Sequence, residues 1–149
     1  MRAVITRVAW ARVRVEGTVV GEIARGICAL IGVGREDGER DAIWIGDKIC
    51  QCRCFVDAED KMNLSLLEAG GSVLAISQFT LYGDLRKGHR PSFGAAQDPA
   101  PAEQLFERVC AQVRSRGIAV QTGRFRAHME VESLNDGPVT LLLDSKKDF

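Results

Sequence analysis

The stretch Val73-Leu74-Ala75-Ile76-Ser77-Gln78-Phe79-Thr80-Leu81-Tyr82-Gly83-Asp84 decides how the chain is read. Its first four residues form an apolar run too short for a helix and preceded by Gly70-Gly71, which predicts a buried strand. Ser77, Gln78 and Thr80 then set two hydroxyls and a carboxamide at the end of that strand, and Gly83-Asp84 predicts a turn. A core strand holds short polar side chains more rigidly than a loop can, so a site is expected here. Taken alone, the hydroxyls suggest a nucleophile.

Upstream of this stretch, Ala3 to Val8, Arg12 to Val15 and Val19 to Ile23 read as hairpin-like strands, and Ile27 to Val33 as a central one. Gly32-Val33-Gly34 lacks both the G-x-G-x-x-G pattern and a Walker lysine, which favours a turn over a phosphate loop. Asp37 is expected to cap a helix reaching roughly Cys50, with Ala42, Ile43, Gly46 and Ile49 on its inner face and Trp44 as a core or interface anchor. Cys50 to Val56 reads as a strand that puts Cys50, Cys52 and Cys54 on one face. The turn Asp57 to Lys61 and the segment Met62 to Ser65 then lead back to the opening strand.

Downstream, Leu85 to Pro101 is a long loop without periodicity, and such loops tend to be functional. Its Arg86-Lys87-Gly88-His89-Arg90 cluster fits either a solvated surface or a phosphate clamp. Ala102 to Arg116 is a helix with the apolar stripe Leu105, Phe106, Val109, Cys110 and Val113, closed by Gly117. Ile118 to Gln121 reads as a short strand. Alternation from Arg124 to Val131 predicts a half-buried strand with His128 on its polar face. Asn135-Asp136-Gly137-Pro138 is a turn, Val139 to Leu143 a last buried strand, and 145–149 a polar tail. Strands dominate, with two helices and no βαβ alternation. The expected class is α+β, a curved, barrel-like, mostly antiparallel sheet with two main helices outside, and residues 1–149 form one domain.

With 149 residues, 46% hydrophobic and 27% charged, the chain can bury a real core and is neither a disordered polymer nor a membrane protein. Arg2, Arg7 and Arg12 interrupt what a signal peptide would need as its apolar centre, and no apolar run nears the ~18 residues of a spanning helix. A cytoplasmic protein is expected. Lys plus Arg and Asp plus Glu both number 20, so no global field attracts nucleic acid, and an RNA partner must be held locally. Five cysteines without an export signal argue against a disulfide framework, and the absence of C-x-x-C or H-x-x-x-H spacing argues against a metal site. Buried structural thiols remain.

Four motifs in order, M-R-A-V-I-T-R-V, M-N-L-S, S-Q-F-T-L-Y-G-D followed by R-K-G-H-R-P-S-F, and N-D-G-P-V-T, resemble D-aminoacyl-tRNA deacylases of the D-tyrosyl-tRNA deacylase, Gly-cisPro type. The resemblance runs from Met1 to about Ser145. It implies a homodimeric editing hydrolase without metal or organic cofactor. Its substrates would be D-aminoacyl-tRNA and glycyl-tRNA mischarged on the alanine tRNA, held by the 3′-terminal adenosine, with neither DNA nor membrane as partner. Gly137-Pro138 would carry the cis bond that enters the opposite subunit's site and rejects L substrates, and Arg7 would brace that corner. Ser77, Gln78, Phe79 and Thr80 would line the catalytic site, with Phe79 giving a backbone N–H to an oxyanion. A Ser or Thr nucleophile needs an adjacent base, and neither histidine falls in a polar stretch, so hydrolysis is expected to use the tRNA 2′-hydroxyl. Arg86, Lys87 and Arg90 would bind tRNA phosphates. The alternatives are a tRNA-binding module without catalysis and a Ser/Thr esterase.

Overall fold

The computed structural model describes residues 1–149. In chain order it contains β1 (Arg2–Val15), β2 (Thr18–Ile23), β3 (Gly26–Gly32), α1 (Glu39–Gln51), β4 (Phe55–Val56) and β5 (Met62–Leu64). There follow β6 (Ser72–Ser77), a one-turn 3-10 helix (Phe79–Tyr82), α2 (Pro99–Ser115), β7 (Val120–Thr122) and β8 (Glu130–Asp144). The main sheet runs β2-β1-β3-β6-β7, with β8 laid along β1 outside this path. Gly21 of β2 sits against the Thr122 backbone of β7, so the sheet curls into a nearly closed barrel. Antiparallel pairing joins β1 to β2, β3 and β8, and β4 to β5, as the α+β expectation requires.

The pairing of β6 differs from that antiparallel pattern. It lies parallel to β3 on one side and to β7 on the other. Parallel neighbours need a crossover, and α1 and α2 supply the two. The chain therefore contains two βαβ-type units that a tally of strands does not reveal. Burial on both faces explains the apolar run in β6. Val73 and Ala75 pack under the helices with Phe106, Val109 and Ile45. Leu74 and Ile76 instead point into the barrel interior with Val8, Ala11, Val13, Ile23 and Cys28.

Several boundaries shift for physical reasons. β1 is continuous from Arg2 to Val15, because β8 pairs along almost its whole length. Helix α1 begins after Gly38, not at an Asp37 cap. Asp37 instead accepts hydrogen bonds from the Gly34 N–H (2.6 Å) and the Tyr82 hydroxyl (3.0 Å). Ile45, rather than Ile43, is buried with Ala42, Gly46 and Ile49. Packing carries α1 on to Gln51, so Cys50 is helical, Cys52 is its C-cap, and no strand aligns the three thiols. Cys50 and Cys54 are buried and Cys52 half-buried, all as free thiols. In α2, Pro99 occupies the first turn, where its missing N–H costs no hydrogen bond, and Gly117 follows in the left-handed conformation (φ +81°).

Two expectations near the C-terminus are overturned. Arg124 to His128 is a turn, with Ala127 N–H donating to the Arg124 carbonyl (3.2 Å), and the strand starts only at Glu130. The predicted in-out alternation of burial survives there without the ladder. The Val139 to Leu143 strand is not buried. Leu141 is 39% and Leu142 62% exposed, while Val139 and Leu143 are half-buried against the core. No helix is long and apolar enough to cross a membrane.

Candidate active site

The parallel trio β3, β6 and β7 places three chain exits at one end of the barrel, where open parallel sheets characteristically bind ligands. A cleft of about 560 Å³ opens there. Ile31 from β3 and Val33 just after it, Ile76 and Ser77 from β6, and the Phe125–Met129 turn after β7 form its floor and one wall. Gln97, Pro99, Ala102 and Phe106 at the start of α2 form another, and Phe93 closes the rim. Twelve of the twenty lining residues are hydrophobic, the balance expected of a small-ligand pocket with a few polar groups for orientation.

Ser77 and Gln78 enter this cleft half-buried. The Gln78 backbone N–H extends the β3–β6 ladder by donating to the Ile31 carbonyl (2.7 Å), which fixes its position. Phe79 begins the 3-10 turn, where the first N–H groups have no acceptor within the turn. Its ring is 58% exposed and meets Phe93 edge-on at 5.0 Å. Thr80 does not line the cleft. Its Oγ1 accepts a hydrogen bond from the Gln78 carboxamide, so it holds Gln78 in place. His128 and Arg126 reach the same cleft from the turn after β7, an approach that the alternating sequence pattern offered no means of foreseeing.

The second polar stretch sits elsewhere. The Gly137-Pro138 bond is cis. Register runs from Thr6 opposite Thr140 to Val8 opposite Asn135, so Arg7 alone faces Asp136 to Val139, which bulge from the ladder. Asn135 ties the bulge by accepting from the Val139 N–H (2.9 Å) and donating to Thr140 Oγ1 (3.0 Å). Arg7 is 10% exposed; its Nε donates to the Asp136 carbonyl (2.8 Å) and its Nη1 to the Cys54 carbonyl (2.7 Å). Asp136, Gly137 and Pro138 are exposed.

Within one chain the two stretches do not meet. Arg7 pairs with Ile27 and Ile27 with Val73, so the corner lies three strand spacings, ~14 Å, across the sheet from β6. Ser77 lies four residues, ~13 Å, further along β6.

The loop cations differ among themselves. Arg86 is clamped to Asp84 through Nε (2.9 Å) and Nη2 (2.6 Å), and this pairing holds the Asp84 carboxyl well below the usual carboxylate range. Lys87, His89 and Arg90 are exposed. Gly34 fits against Tyr82, where a Cβ would lie 2.7 Å from two ring carbons and the hydroxyl oxygen, which accounts for a glycine in a turn that carries no phosphate motif.

Comparison with known proteins bears on all of these features. The family model described as D-Tyr-tRNA(Tyr) deacylase matches residues 4–144. The D-aminoacyl-tRNA deacylases of Koribacter versatilis (strain Ellin345) and Anaeromyxobacter dehalogenans (strain 2CP-C) are each 54% identical over 149 residues, covering 100% of both chains. A solved structure titled c-Myc DNA Unwinding Element Binding Protein superposes with a TM-score of 0.92 at 36% identity, covering 97% of this chain and 99% of that one. A second, titled as a probable eukaryotic D-amino acid tRNA deacylase, shares the fold with a TM-score of 0.81 at 17% identity, covering 95% of this chain and 97% of that one. With the motifs in register, the cleft at the parallel strand ends and full-length relatives at this identity, the chain belongs to the D-aminoacyl-tRNA deacylase family of hydrolases.

Proposed function

We propose that the chain hydrolyses the ester joining a D-amino acid, or glycine mischarged on the alanine tRNA, to the 3′-terminal adenosine of tRNA. The observation that carries this reading is the apolar cleft with Ser77, Gln78 and the Phe79 N–H fixed at its floor by β6, in a chain of this family. Adenosine and the ester occupy the cleft, and Gln78, held by Thr80, contacts the nucleoside. Water attacks the ester carbonyl, assisted by the adenosine 2′-hydroxyl. The tetrahedral oxyanion takes the Phe79 N–H, and the bond to the 3′-oxygen breaks to release free amino acid and tRNA. Ser77 and Thr80 orient and do not attack, since Thr80 lies outside the cleft and its hydroxyl is engaged by Gln78.

Handedness is judged by Gly137 and Pro138 of a second copy. Their carbonyls would take the substrate's amino group and occupy the volume of an L side chain, while glycine, having none, passes. The separation of this corner from Ser77 within one chain supports a homodimeric site. So do the exposed apolar side chains of Trp10 and Leu134, which sit opposite one another across β1 and β8, exposure of the kind that marks interaction surfaces. Lys87 and Arg90 reach tRNA phosphates from the loop, Arg86 less so because Asp84 holds it. A substrate drawn from translation implies a cytoplasmic protein.

Deacylation of matched D- and L-tyrosyl-tRNA tests the reading, with rapid loss of the D ester alone expected. Equal rates on both would remove the filter. A tRNA ending in 2′-deoxyadenosine should be spared, and its normal hydrolysis would sink 2′-hydroxyl assistance. Thr80→Ala should slow the reaction without abolishing it.

A further inference from the structure

We propose that Arg124 and Arg126 grip the backbone phosphates of the single-stranded tRNA 3′ end where it leaves the cleft. This rests on the adenosine-in-cleft reading above. An adenosine seated on Ser77 and Gln78 still carries its 5′ phosphodiester, so the rest of the strand must cross the rim. Phe125 to Met129 line the cleft on one side, and Arg124 opens the turn that carries them.

The turn is built to hold its cations still. Phe125 is anchored on Phe106 of α2, with ring centroids 6.4 Å apart, and Met129 packs against the barrel's inner cluster. Burial alternates along it, so the even-numbered Arg124, Arg126 and His128 face solvent while the odd-numbered residues between them are held. Arg126 adopts a left-handed backbone (φ +64°), a conformation that L side chains rarely take and that is concentrated at functional sites.

Charge pairing leaves these two arginines uncompensated, as it does Arg25, Arg40, Arg53, Arg90 and Arg114, whereas others are tied down. Arg12 and Arg14 are tied to Glu132, Arg108 to Glu39 and Arg116 to Asp47. Arg124 and Arg126 pair with no carboxylate, although Glu130 is close in sequence. The acid on the cleft wall, Asp98, is 3.7 Å from Arg35. The cleft therefore offers the uncompensated Arg126 guanidinium, with Arg124 two residues away, and the exposed Phe79 in the same lining, and cations together with aromatic surface are how single-stranded RNA is held without reading its sequence.

The test compares wild type, Arg124→Gln, Arg126→Gln and the double variant, with Arg40→Gln on α1 as an exposed control. Binding of uncharged tRNA is measured from 50 to 300 mM salt, and kcat and KM on D-tyrosyl-tRNA and on 3′-O-(D-tyrosyl)adenosine, which has no phosphate. Each single variant should weaken tRNA binding about tenfold at low salt. The double variant should flatten the log–log salt slope by about 1.4, some 0.7 for each phosphate no longer neutralised. The advantage of the tRNA ester over the adenosine ester should fall with it, through KM rather than kcat. Arg126→Lys, which keeps the charge, should recover part of the slope. An unchanged slope in the double variant overturns the proposal, as does an equal loss on both esters. If wild type binds tRNA with the full slope but spares the D ester, the deacylase reading fails and the phosphate site stands; the reverse result separates them the other way.

Discussion

Replacing Arg7 with methionine removes the guanidinium while keeping most of the side chain's length and its packing. The residue is 10% exposed, and its two hydrogen bonds, to the carbonyls of Asp136 and Cys54, join β1 to the Gly137-Pro138 corner and to the link between α1 and β4. A hydrogen bond from a charged donor contributes about 1.5–3 kcal/mol. The ion pair to Asp136 at 3.5 Å adds little, since that carboxylate is 56% exposed. Taking the lower end for both bonds gives a loss of about 3 kcal/mol, or roughly 6–12 °C in Tm for a chain of this size. Arg7→Lys should fall between, because one ammonium cannot fork to two carbonyls. Urea unfolding at fixed protein concentration measures the stability, the concentration being held because any self-association would contribute. Deacylation of D- and L-tyrosyl-tRNA measures whether the loosened corner loses discrimination. A loss under about 0.5 kcal/mol together with an unchanged D-to-L ratio would refute the bracing role.

Other outcomes follow from the same geometry. Gly26→Ala would drive a Cβ into the Ser72 backbone, whose N and C atoms lie 2.8 and 2.9 Å away, across the β3–β6 pairing; a cost near the top of the 1–3 kcal/mol overpacking range is expected, and an unshifted Tm would be inconsistent with that pairing. Gly137→Ala places a Cβ 2.7 Å from Val139 at φ +148°, so both melting temperature and D-ester hydrolysis should drop; full activity would exclude a tight corner. A hydrogen bond from Cys54 brings the Cys52 thiol down to about 7, whereas burial pushes Cys28 to about 11 and Cys110 to about 12. Iodoacetamide should therefore label Cys52 first, half-maximally near pH 7, and labelling that rises only above pH 8.5 would contradict this. Burial raises the Asp41 carboxyl, but hydrogen bonds from Ser145, Gly38 and Lys146 outweigh it and hold it at about 2. Its contribution is present above the unfolded value near 4 and lost as pH falls towards 2, so the stability gap between wild type and Asp41→Asn should close over that window in urea titrations.

Local patterning was enough to place a buried strand at Val73 to Ile76 and the polar residues that end it. An apolar run too short for a helix and preceded by glycines reads as a buried strand, and the polar residues that end it emerge at its carboxyl end. The α2 stripe and its Gly117 stop were equally local, since helical spacing and a left-handed cap are written into a few adjacent residues. Motif order over the whole chain indicated the family. What the sequence did not carry was partnership between distant segments. That β6 lies parallel between β3 and β7 is decided by where α1 and α2 pack, and it is this that brings Phe125, Arg126 and His128 to Ser77. Cys50, Cys52 and Cys54 alternate as a strand would, yet the fit of Ile45 and Ile49 into the core continued α1 through Cys50. Alternation at Arg124 to His128 likewise described burial correctly while the backbone turned, because period two records which side chains are covered and not what covers them. β8 read as buried for the same reason. Leu141 and Leu142 are apolar in sequence, but nothing in the three-dimensional arrangement covers them, whereas Leu143 packs on the core.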